Sequence, residues 1–96
     1  MHISGQDGAA ALWRRNREIL FQLLDDELLA VDAESGYCYS LNESAGRVWK
    51  IMEQPMRLAA ICAQLRREYR IDEATCLAEV SALLEGLRQA GLVAQG

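Results

Sequence analysis

Apolar positions along the chain first follow a strand-like spacing and later a helical one. Ile19-Leu20-Phe21-Gln22-Leu23-Leu24 is a short apolar run, Asp25-Asp26 interrupts it, and Leu28-Leu29-Ala30-Val31 resumes it. Two such runs around an acidic turn predict a β-hairpin. A helix through the same stretch is the competing reading, because leucine is a weaker strand former than valine and short apolar runs have no decisive period. The residues that follow favour strands. Asp32-Ala33-Glu34-Ser35-Gly36 is turn-like, and Tyr37-Cys38-Tyr39-Ser40-Leu41 then alternates with period two. Tyr37, Tyr39 and Leu41 share one face, Cys38 and Ser40 the other. Three antiparallel strands are expected.

From Asn42 the period becomes helical. Asn42 is a good N-cap, and Ala45, Val48, Trp49 and Met52 recur on one face, with Ile51 at its margin. Gly46 inside this helix suggests close packing. Pro55 prevents the helix from continuing. Leu58, Ile61, Cys62, Leu65 and Tyr69 mark a second helix, whose expected N-cap position holds Arg57, a residue with no side-chain acceptor. Asp72 caps a third, with Ile71 and Cys76 spaced as a hydrophobic staple and Leu77, Val80, Leu83, Leu84 and Leu87 as its stripe. Gly91 stops it, and Leu92-Val93 is expected to fold back as an anchor. The order is βββααα, an α+β, winged-helix-like domain with a three-stranded antiparallel sheet packed on three helices.

The remaining residues limit the function. Met1 to Trp13 lack the charged and apolar regions of a secretion signal, and residues 1–17 are expected as a flexible tail before a folded domain at 18–94. Trp13 to Arg17 read as a short amphipathic flank, and His2 as a solvated residue of the tail. With 96 residues and 51% hydrophobic content, the chain can build one core but buries a modest share of its surface, which leaves room for a homodimer. A net charge of −4, from 10 basic and 14 acidic side chains, opposes nucleic-acid binding. No apolar run approaches the ~20 residues of a membrane span, so neither nucleic acid nor membrane is an expected partner, and a cytoplasmic setting is expected.

Candidate chemistry is sparse. Cys38, Cys62 and Cys76 are odd in number and too far apart for a zinc pair; Cys62 and Cys76 fall on apolar helix faces as small hydrophobes. Asp25-Asp26-Glu27 and Asp72-Glu73 are carboxylate clusters explained by turn and capping chemistry. No Gly-rich phosphate loop, His-Glu zinc motif or cysteine–histidine pair occurs. The expectation is a non-enzymatic chain without metal or cofactor.

One stretch carries a resemblance. Glu34-Ser35-Gly36-Tyr37-Cys38-Tyr39-Ser40-Leu41-Asn42-Glu43-Ser44-Ala45-Gly46, followed by Val48-Trp49, and the end Leu83-Leu84-Glu85-Gly86-Leu87-Arg88-Gln89-Ala90-Gly91-Leu92-Val93, resemble the PqqD-like family of RiPP recognition elements. The likeness runs from Ile19 to Val93. Tyr37 stands where that family usually has a charged residue, Cys38 where it has an aromatic, and Arg57 where it has a capping Ser or Thr. The resemblance implies a peptide chaperone in natural-product biosynthesis. The leader of a ribosomally made precursor would add as a strand beside the third strand and rest on the third helix. The partner enzyme would be of the radical-SAM or protease/cyclase type.

An edge strand can bind a peptide by backbone pairing without any catalytic constellation. On that reading Tyr37, Cys38, Tyr39, Ser40 and Leu41 form the pairing strand. Thr75, Ala78, Glu79 and Ala82, which flank the third helix's stripe, line the groove. Core roles for Tyr39 and Leu41, and plain helix surface for the other four, are the alternatives. Two other functions remain open. A winged-helix DNA-binding regulator would use Arg57, Arg66, Arg67 and Arg70, but its reading helix would carry Asp72, Glu73, Glu79 and Glu85 against Arg88 alone. The third is a docking or dimerisation module of a larger enzyme complex.

Overall fold

In the computed structural model, which describes residues 10–25 and 27–96, alternation and helical periodicity become separate layers. The chain runs β1 (Leu12–Arg15), β2 (Ile19–Leu24), β3 (Glu27–Asp32), β4 (Cys38–Leu41), α1 (Glu43–Ile51), β5 (Met56–Arg57), α2 (Leu58–Glu68), α3 (Glu73–Gln89) and β6 (Val93–Gln95). The expected antiparallel meander is present as the sheet β2-β3-β4, followed by the three expected helices. Leu28 and Ala30 of β3 are buried while Leu29 and Val31, on the opposite face, are half-buried, as period two requires. The core gathers Leu28, Leu41, Val48, Trp49, Met52, Ile61, Cys76, Leu84 and Leu92 between this sheet and the helices.

A second sheet, in the order β5-β1-β6, was not expected. Trp13 pairs with Met56 on one side and Gln95 on the other, and its side chain is only 5% exposed. Residues 12–15 therefore belong to the fold, and the tail expected over residues 1–17 is too long; residues 1–9, including His2, lie outside the described residues. The folded-back Leu92-Val93 is confirmed as buried, with Val93 opening β6.

Helix ends follow local chemistry. The Asn42 side chain accepts from the Ala45 N–H at 2.8 Å, and Asp72 accepts from the Thr75 N–H at 3.0 Å and its hydroxyl at 2.7 Å. Arg57 provides no cap, as expected, and the Leu58 N–H donates instead to the Ala11 carbonyl at 3.0 Å. The β1-β5 contact thus compensates for the missing acceptor. Gly91, at φ 83°, takes the left-handed turn that lets the Leu92 N–H reach the Leu87 carbonyl. Gly46 is buried against β3, where an added Cβ would meet Leu28 Cβ at an ordinary 3.6 Å. Tyr69, expected on the buried stripe of α2, is 46% exposed because the helix has ended one residue before it.

Arg47 of α1 and Glu68 at the end of α2 form a forked ion pair, with Nε to Oε1 at 2.6 Å. Hydrogen bonds from Arg47 hold the Glu68 carboxyl down to about 2, against an ordinary 4.5. A depressed carboxyl pKa contributes stability above the unfolded value and loses it as pH falls through the folded one. Wild-type protein should therefore be more stable than Glu68→Gln at neutral pH. The difference should shrink between pH about 4.5 and about 2, as followed by thermal melts across that range.

Candidate peptide-binding edge

β4 begins where the Asp32–Gly36 turn ends. Asp32 accepts from the Glu34 N–H at 2.9 Å, the Gly36 N–H returns to the Asp32 carbonyl at 2.7 Å, and Gly36 takes φ 82°. The Glu34 N–H, ahead of the other contacts, holds the Asp32 carboxyl below its usual range. The turn aligns β4 on β3 with Leu28 opposite Leu41, Leu29 opposite Ser40, Ala30 opposite Tyr39 and Val31 opposite Cys38. Tyr37 lies just before the strand and is 67% exposed.

The direction of the ladder hydrogen bonds identifies the free groups. The Asp32 N–H donates to the Tyr37 carbonyl at 2.9 Å, so residues 28, 30 and 32 of β3 bond towards β4. Tyr39 and Leu41 answer them. The N–H and C=O of Cys38 and Ser40 then point away from β3, along a side with which no strand pairs among the described residues. Leu41 is buried and Tyr39 packs against the core, whereas Cys38 and Ser40 present their side chains to solvent. The Ser40 hydroxyl donates to Glu27 on the neighbouring strand.

The helix α1 that follows β4 lines an apolar hollow of about 350 Å³. Ser44 and Val48 of α1 line it, together with Leu65 of α2, Tyr69, Arg70 and Ile71 of the connection, and Cys76, Glu79, Val80 and Leu83 of α3. Of the four α3 residues expected in a groove, only Glu79 lines this hollow. Ala78 and Ala82 line a different one, with Trp13, Leu58 and Gln95. Thr75 is engaged in the Asp72 cap. Thr75, Ala78, Glu79 and Ala82 share the arc of α3 that faces away from the buried row Cys76, Val80, Leu84 and Leu87, and that arc reaches two hollows, Glu79 at one and Ala78 and Ala82 at the other. Leu83, read as part of the core stripe, is half-buried and belongs to the hollow; its position at the margin of that stripe was the available signal.

Among the described residues no group of three or more His, Cys, Asp or Glu side chains is placed to hold a metal. Burial, reinforced by the Cys76 thiol, pushes the Cys62 thiol up to about 12. Cys38 is an exposed free thiol. On α3, Glu73 and Glu79 are exposed and Arg88 is tied to Glu85, an acidic surface that opposes phosphate docking. Among the described residues no helix is long and apolar enough to cross a membrane.

The family model described as coenzyme PQQ synthesis protein D (PqqD) matches residues 27–93. No curated protein matches the chain in sequence. Two solved structures share its fold. TbiB1 in complex with the TbiA(beta) leader peptide aligns with a TM-score of 0.78 and 21% identity, over 83% of this chain and 93% of that one. Lasso peptide synthetase B1 complexed with the leader peptide aligns with a TM-score of 0.75 and 22% identity, over 85% and 96%.

Proposed function

The chain belongs to the PqqD family, and from that premise we propose that it is a non-catalytic, cytoplasmic adaptor that captures the leader of a ribosomally made precursor peptide and presents it to a modifying enzyme of the radical-SAM or protease/cyclase type. The observation that carries the reading is the unpaired side of β4, a strand that leads into a helix lining an apolar hollow. A leader strand would bond to the free N–H and C=O groups of Cys38 and Ser40, which attract any extended backbone. Selectivity would come from side chains entering the hollow between α1 and α3, against Val48, Glu79 and Leu83. Tyr37, exposed at the start of the strand, is placed to contact the peptide beyond it. Thr75, Ala78 and Ala82 contribute less on this account than Glu79 does. That both of the matching structures hold leader peptides supports the same occupant.

Calorimetric titration with the leader of a cognate precursor peptide, sought among the reading frames beside the gene, tests the reading. Wild-type protein should bind it saturably. Leu83→Asp places a charge in the hollow and should weaken binding by about tenfold or more. Ala78→Arg, which lines the separate hollow beside Trp13, should leave affinity unchanged. A folded Leu83→Asp variant with normal affinity, or loss of binding on Ala78→Arg alone, would move the peptide to the hollow beside Trp13.

A further inference from the structure

The sheet β2-β3-β4 has a second open edge, and its sequence departs from the usual protection of such edges. Natural edge strands carry charges, prolines or bulges that discourage pairing. β2 reads Ile-Leu-Phe-Gln-Leu-Leu, with no charge and no proline, and pairs with β3 residue for residue from Ile19 to Leu24. Leu20, Phe21, Leu23 and Leu24 are 64%, 48%, 50% and 42% exposed, so both faces of this edge show apolar side chains.

We propose that a second copy of this chain covers this edge, the two β2 strands pairing antiparallel about a two-fold axis at Phe21. Ladder directions support that register. Residues 28, 30 and 32 of β3 bond towards β4, so Glu27, Leu29 and Val31 bond towards β2 and engage Leu24, Gln22 and Leu20. The N–H and C=O groups of Ile19, Phe21 and Leu23 therefore point outwards. With Phe21 opposite Phe21 of the second copy, Ile19 falls opposite its Leu23, and every outward group in the strand meets an outward group.

Charge complementarity selects a copy of the same chain over an arbitrary strand. Exposed Arg17 precedes β2 and exposed Asp25 follows it. The antiparallel register sets the Arg17 end of each copy beside the Asp25 end of the other, twice per dimer. A parallel pairing would set like charges together. The product is one continuous sheet, β4-β3-β2-β2-β3-β4, with both β4 edges left free on its outer sides. The assembly needs no peptide, so its test stands apart from that of the adaptor reading.

Sedimentation equilibrium of the full chain without peptide provides that test. Wild type should show a monomer–dimer equilibrium that weakens as salt is added. Leu23→Pro removes an N–H that β3 does not use, so the fold should persist while the dimer is lost. Arg17→Glu changes only an exposed side chain and should weaken the dimer by about tenfold, through two rim pairs reversed at once. A wild type that is monomeric at every concentration overturns the proposal. So does a folded Leu23→Pro that still dimerises, or an Arg17→Glu dimer of unchanged strength.

Discussion

Replacing Trp49 by alanine is expected to destabilise the domain by about 3–5 kcal/mol, which at this size lowers the melting temperature by at least about 12 °C. Trp49 is completely buried and continues the α1 face formed by Ala45, Val48 and Met52. Its ring meets Phe21 edge-on, with centroids 5.7 Å apart, and the Arg15 guanidinium lies 5.0 Å above it. Arg15 also donates to the Trp49 carbonyl, from Nε at 2.9 Å and from a terminal nitrogen at 2.5 Å. Burial beside these rings lowers the guanidinium's pKa, against an opposing contribution from Glu53. One residue therefore ties β1, β2 and α1 together, and truncating it leaves a cavity at their junction. Since a domain of this kind has only about 5–15 kcal/mol in total, partial unfolding near physiological temperature is expected. Thermal and urea melts measure it. A variant that keeps its stability and loses only peptide binding would place Trp49 in a recognition role that its burial contradicts.

Features governed by neighbours in sequence were legible before the structure. Asn42 and Asp72 are caps because each side chain reaches an N–H three residues ahead, and Gly91 is a stop because it alone there takes positive φ at low cost. The alternation put Tyr39 and Leu41 on one face and Cys38 and Ser40 on the other but did not say which face is inward; the structure buries Leu41 and exposes Ser40. The sheet β5-β1-β6 was hidden for the opposite reason. Its strands run 4, 2 and 3 residues and pair Trp13 with Met56 and Gln95, so no local period announces them. Periodicity on α3 identified the buried row, yet it could not tell which hollow each exposed position reaches. That choice depends on helix rotation in the packed domain. It put Glu79 and Leu83 on the side of Ser44 and Val48, and Ala78 and Ala82 on the side of Trp13.

The largest expected effect on binding comes from the backbone of β4. Ser40→Pro deletes an N–H that β3 does not use, so the meander should remain folded, but it deprives an added strand of a donor and sets a pyrrolidine ring in its path. One lost hydrogen bond is worth roughly 0.5–1.5 kcal/mol, and the steric clash adds to it, so leader affinity should fall by about tenfold or more. Amide hydrogen exchange with and without the leader, on wild type and on Ser40→Pro, examines this edge directly. The account predicts that leader addition slows exchange at Cys38 and Ser40 in the wild type, with accompanying protection near Glu79 and Leu83, and that the proline variant shows neither change while keeping the exchange pattern of β3. Protection confined to Arg57–Arg70, or undiminished leader binding by a folded Ser40→Pro variant, would contradict strand addition at β4.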